Sequence, residues 1–108
     1  MTITEFLEAR IAEDEAVARS ATPGPWFRDS GWSISAPAPD GWDGPYVVVE
    51  TPRARNDSEF IARHSPRRVL AECAAKMAII ESVTSWSMLM HFASVYADHP
   101  DYRQEWAL

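Results

Sequence analysis

Between Val69 and Tyr96 the apolar residues recur mostly every third or fourth position: Val69, Leu70, Cys73, Met77, Ile80, Val83, Trp86, Leu89, Met90, Phe92, Val95 and Tyr96. That spacing returns to one side of an α-helix, so the stretch reads as a long helix whose greasy side needs cover. Ser65 and Pro66 suit its start, because proline at a first helical position lacks only a donor that would be unpaired anyway. Pro100 closes it. Val83, Thr84 and the serines around them are weak helix formers, so the helix is read as either continuous or broken once between Ser82 and Ser87. A chain of 108 residues is enough for one small domain and not for two. The cover must therefore come from the same domain or from a second copy.

Two other regions supply candidates. Thr2-Ile3-Thr4-Glu5 has the form of a capping box, and Ile3, Phe6, Leu7, Ile11, Val17 and Ala18 follow near helical spacing with Arg10 at the stripe's edge, predicting a helix over 3–20. Pro23-Gly24-Pro25 ends it. Residues 26–50 form the strand region. Trp26-Phe27-Arg28 and Trp32-Ser33-Ile34 flank the turn-forming Asp29-Ser30-Gly31, and Tyr46-Val47-Val48-Val49-Glu50 is β-branched between Pro45 and Pro52. Between them, 36–45 is a loop rich in proline and glycine. A helical region follows over 58–97, with a first short helix from Ser58 to about His64, and 98–108 is a tail with aromatic anchors. The expected class is α+β: a two- or three-stranded antiparallel sheet packed by the N-terminal helix and a long C-terminal helix, continuous or broken once.

Charge and residue chemistry narrow the functions. Residues 53–76 hold six basic against three acidic residues, +3, so the remainder carries −9 to give the total of −6. A net acidic chain is repelled by phosphate backbones, so nucleic acid is a disfavoured partner. The single cysteine excludes an intramolecular disulfide framework, and Cys73 falls on the apolar stripe as a small buried hydrophobe. His64 sits where a helix C-terminus needs a cap. His91 and His99 have no histidine four residues away, and Asp98-His99-Asp101 reads as a solvated tail or a cap around Pro100, so no metal site is expected. No phosphate-cradling loop or nucleophile–base pair is present, so no catalytic residues and no cofactor are expected. No apolar run reaches the length of a membrane span, and the acidic start, Glu5 and Glu8, is unlike a signal peptide; a cytoplasmic protein without membrane contact is expected.

Ala21-Thr22-Pro23-Gly24-Pro25-Trp26, Asn56-Asp57-Ser58-Glu59-Phe60-Ile61-Ala62 and Pro66-Arg67-Arg68-Val69-Leu70 resemble, in order and type, the Ead-like family of small phage and prophage accessory proteins. A closer resemblance is to an uncharacterised family, a domain of unknown function, of actinobacteria and actinophages. It is carried by Glu13-Asp14-Glu15, the Pro-Gly-Pro-Trp turn, Ile61-Ala62-Arg63-His64 and the tail from Tyr96 to Trp106. The resemblance implies an intracellular accessory role and brings no catalytic residue with it.

The expectation is thus a non-enzymatic accessory protein working through protein–protein contact, on a host component or on itself. Trp42, on the Pro/Gly loop, and Arg53, Arg55, Arg63, Arg67 and Arg68 are the candidate contact residues, since an exposed indole and guanidinium groups anchor interfaces. Met77, Ile80, Trp86, Leu89 and Met90 are the candidates for self-association, as a homodimer. The alternative is a nucleic-acid-associated regulator using the arginines of 53–68.

Overall fold

Thr2 and Glu5 cap the first helix reciprocally. The Glu5 N–H donates to Thr2 Oγ1 at 3.1 Å and the Thr2 N–H donates to Glu5 Oε1 at 3.0 Å, the pairing expected of a capping box. In a computed structural model, which describes residues 1–41, 43–44, 46–50, 55–82 and 85–108, helix α1 then runs Ile3–Ser20. Strands β1 (Phe27–Arg28), β2 (Ile34–Ala36) and β3 (Tyr46–Val49) follow, then helices α2 (Arg55–Arg63), α3 (Pro66–Ser82) and α4 (Trp86–Ser94), and a 3-10 turn at Gln104–Trp106. The class is α+β. The chain divides into two compact units, Met1–Asp14 with Glu72–Leu108, and Glu15–Ala71.

The second unit holds the sheet, antiparallel in the order β1-β2-β3. Ile34 faces Val49 and Ser35 faces Val47, so β3 carries one extra residue, Val48, as a bulge. Helix α2 packs on β1 and β2, giving the small sheet the helical layer that so few strands require. Two boundaries differ from expectation. The second strand begins at Ile34 and includes Ala36, which the proline pattern had assigned to the loop; Trp32 instead occupies the hairpin turn at φ +66°. That turn is assembled by Asp29, whose Oδ1 accepts from the amides of Gly31 (2.8 Å) and Ser33 (3.1 Å) while Oδ2 accepts from Ser35 Oγ (3.0 Å). Helix α2 starts at Arg55, so Asn56, Asp57 and Ser58 lie in its first turns instead of capping it. Ser58 is buried and donates to the Trp32 carbonyl at 2.6 Å. A tertiary partner has taken a hydroxyl suited to capping. His64 does cap α2, donating from Nδ1 to the Phe60 carbonyl at 2.9 Å, with its ring stacked on Phe60.

The first unit is centred on Phe6, which is fully buried. Its ring meets those of Trp106 (5.0 Å between centroids), His99 (5.7 Å), Tyr102 (6.1 Å) and Tyr96 (6.3 Å), in the tilted and edge-on arrangements that aromatic quadrupoles favour. The segment 98–108 is therefore no solvated tail at its anchors: Trp106 is only 1% exposed and the 3-10 turn packs on α4. Of the two readings of the long helix, continuous or broken near the serines, the structure has the broken one. Helix α3 ends at Ser82, and Ser85 caps α4 by accepting from the Met88 amide. Val83 and Thr84 lie outside the described residues. Cys73 is buried, as its place on the stripe required.

Candidate functional site

Arg10 is the one buried charged residue of the first unit. It had been placed at the edge of an apolar stripe, yet its guanidinium is taken inside. Nη2 donates to Glu13 Oε1 at 2.9 Å, Nη1 lies 2.8 Å from His99 Nδ1 and 3.7 Å from Asp101 Oδ2, and the cation sits 5.3 Å from the Phe6 centroid. The Asp101 amide also donates to His99 Nδ1, at 3.0 Å. Nearby, Tyr96 donates its hydroxyl to Asp14 Oδ2 at 2.8 Å. Burial, with the Asp14 hydrogen bond and charge, pushes the Tyr96 phenol well above its usual range. These contacts tie the N-terminal helix to the last turns of the chain within this unit. They explain His99 as a positioned structural group, and among the described residues no cluster of three or more His, Cys, Asp or Glu side chains is arranged to hold a metal.

The self-association candidates are split by the fold. Ile80 and Leu89 are core residues of the first unit and Met77 and Met90 are half-buried, so of the five only Trp86 is exposed. The correction has a simple cause. A stripe read from spacing shows which residues share a side, and the side containing Ile80 and Leu89 is the one the unit buries. The outward side of α4 carries apolar residues next to its exposed Ser87, His91 and Ser94. Met88 (43% exposed), Phe92 and Val95 (68%) follow one another at four and three residues, and Met88, His91 and Phe92 line a shallow recess of about 360 Å³. These residues were missed as candidates. Their signal in the sequence is an absence: from Ser82 to Ala97, sixteen consecutive residues contain no Asp, Glu, Lys or Arg, in a chain that is 24% charged.

The arginines do not form one stripe. Arg63 reaches Glu59 Oε1 at 3.6 Å, Arg68 Nη1 donates to the Arg63 carbonyl at 3.4 Å, and Arg67, with Arg19 and Leu70, borders a groove of about 550 Å³ beside Pro23 and Gly24. Arg55 instead lies over Trp32, its Cζ 4.6 Å from the ring centroid, and Arg28 lies 4.2 Å from the same centroid. Arg53 and Trp42 are outside the described residues. Phe27, Ala36, Pro37 and Gly41 line a recess of about 520 Å³ beside the loop that carries Trp42.

Charge separates by unit. The second unit has seven arginines against seven carboxylates, formally zero; the first has three basic against nine acidic residues, the whole net −6. Among the described residues no helix is long and apolar enough to cross a membrane.

Comparison with known proteins leaves these surfaces without a precedent. No curated protein and no solved structure matches the chain significantly. Residues 1–108 match a single family description in full, and the chain belongs to that family, the family of unknown function DUF6221.

Proposed function

We propose that this protein is a non-enzymatic accessory protein that binds a protein partner through the outward side of α4. The setting we propose is the one its sequence resemblance implies: an actinobacterial or actinophage protein, of phage or prophage accessory type, working in the host cytoplasm.

One observation carries this reading: beside a polar stripe of Ser87, His91 and Ser94, α4 leaves Met88, and Val95 just past its end, exposed. Leu89 and Ala93 are buried, while Met88 and Val95 stand in solvent, with no Asp, Glu, Lys or Arg on the helix. Large apolar side chains left in water forfeit about 25 cal/mol for every Å² not buried, which favours a partner that covers them. The partner's chemistry follows from the surroundings. A surface set in a unit of net −6 favours an apolar patch rimmed by Lys and Arg over a second equally acidic copy. The nucleic-acid alternative receives less support, since the second unit is neutral overall and Arg63 is engaged by Glu59.

The test is retention of partners from host extract by the tagged wild-type chain and by Met88→Glu with Val95→Glu, alongside sedimentation of each protein alone. A basic-surfaced protein should be retained by the wild type, lost from the variant and weakened by salt. A dimer broken by the same substitutions would identify the partner as a second copy. Identical retained sets, with both proteins monomeric and helical, would refute the reading.

A further inference from the structure

We infer that Arg28, Trp32 and Arg55 form a binding site for a phosphate group, separate from the α4 surface. The three residues come from β1, the hairpin turn and the first position of α2. Both guanidinium carbons lie against one indole, at 4.2 and 4.6 Å from its centroid. Their separation is therefore at most 8.8 Å, the sum of those distances. Two like charges at that range fall within about one Debye length at physiological salt, so they repel. The start of α2 adds partial positive charge of its own.

Among the described residues no carboxylate compensates these charges: neither arginine has one within ion-pair distance. The carboxylate nearest in sequence to Arg28, Asp29, is occupied by two amides and a hydroxyl of its own turn. Asp57, in the first turn of α2, makes no ion pair with either arginine. Both guanidinium groups are exposed, so a ligand reaches them from solvent.

The platform beneath them is held in place. Trp32 keeps a φ of +66°, an uncommon conformation for a bulky residue. Its N–H donates to the Asp29 carbonyl at 3.0 Å and its carbonyl accepts from Ser58 Oγ at 2.6 Å. Stacking on this indole limits the freedom of both side chains before any ligand arrives. A guanidinium carbon sits about 4 Å from the phosphorus of a bidentate phosphate, so the proposed site requires the two, which are no more than 8.8 Å apart, to come within about 8 Å of each other on one face of the indole. A phosphate carrying a charge near −2 matches two fixed cations better than a carboxylate does.

The phosphate can belong to a small molecule or to a nucleic-acid backbone, and the test separates these. The indole N–H signal of Trp32, assigned by its loss in Trp32→Phe, is followed by two-dimensional NMR at low salt. The probes are inorganic phosphate, pyrophosphate, a twelve-residue oligothymidylate, and sodium chloride at matched ionic strength. We expect a saturable shift with phosphate, with a Kd on the order of 1 mM, absent with chloride. Arg28→Gln and Arg55→Gln should each weaken it about tenfold, Arg28→Lys less, and Arg67→Gln not at all. Tighter binding of the oligonucleotide than of pyrophosphate assigns the group to a nucleic acid; the reverse order assigns it to a small molecule. No saturable shift beyond the chloride control with any probe, or an unchanged Kd in both glutamine variants with native circular dichroism, overturns the site. The α4 reading is untouched by either result, because its test uses different residues in the other unit.

Discussion

Trp106→Ala tests whether the last residues are core or tail. In a solvated tail the substitution costs nothing measurable. In the structure Trp106 is 1% exposed, 5.0 Å from Phe6 and 5.8 Å from Tyr102 between ring centroids. A buried tryptophan removes up to about 250 Å² from water, which at about 25 cal/mol per Å² sets an upper bound near 6 kcal/mol. The measured range for such truncations, about 3–5 kcal/mol including the cavity left behind, is the better expectation because unfolded chains already bury some surface. Stability near 0.05–0.15 kcal/mol per residue means a loss of that size removes a large share of what a chain this short possesses. Urea unfolding followed by far-ultraviolet circular dichroism measures the change without depending on the deleted fluorophore. Leu108→Ala, at a side chain 69% exposed two residues further on, is the control and should stay within about 0.5 kcal/mol. A Trp106→Ala midpoint within experimental error of the Leu108→Ala midpoint would refute the packing argument.

Ser58→Ala leaves the Trp32 carbonyl without its buried donor, and a loss of about 1–2 kcal/mol in urea unfolding is expected; a neutral result would show that the hydroxyl does not hold the turn. Glu5 is held below the usual carboxylate range by the Thr2 N–H and hydroxyl. Its contribution is present above the unfolded pKa and is lost as pH falls through the lower native value, so Glu5→Gln should flatten the acid-side decline in helicity. For Tyr96 the sign is opposite: burial and Asp14 raise its pKa above the ordinary value of 10.0, so its contribution is full below that value and is lost as pH climbs towards the native one. Absorbance titration should show one of the three tyrosines ionising late, and Tyr96→Phe should abolish that late component.

Much of the architecture is legible because it rests on local rules. The capping box, the start at Pro66, the break at the serines, the His64 cap and the strand at Tyr46 each need only a few neighbouring residues, and each appears at or near its expected place. The errors share one physical origin. Spacing defines sides of a helix without saying which side another element will cover, so for Ile80 and Leu89 a self-association face and a monomer core stood as alternatives, and Met88 and Phe92 were passed over. The same gap hid the burial of Arg10, whose partners His99 and Asp101 lie some ninety positions away along the chain.

The two proposed surfaces divide along the same line. The uncharged span from Ser82 to Ala97 is a property of the sequence, because removing charge from a stretch needs no fold to be visible. The meeting of Arg28 and Arg55 over Trp32 was decided by tertiary structure alone. A strand end and a helix start 27 positions apart come together only when α2 packs on the sheet, and no local propensity encodes that packing.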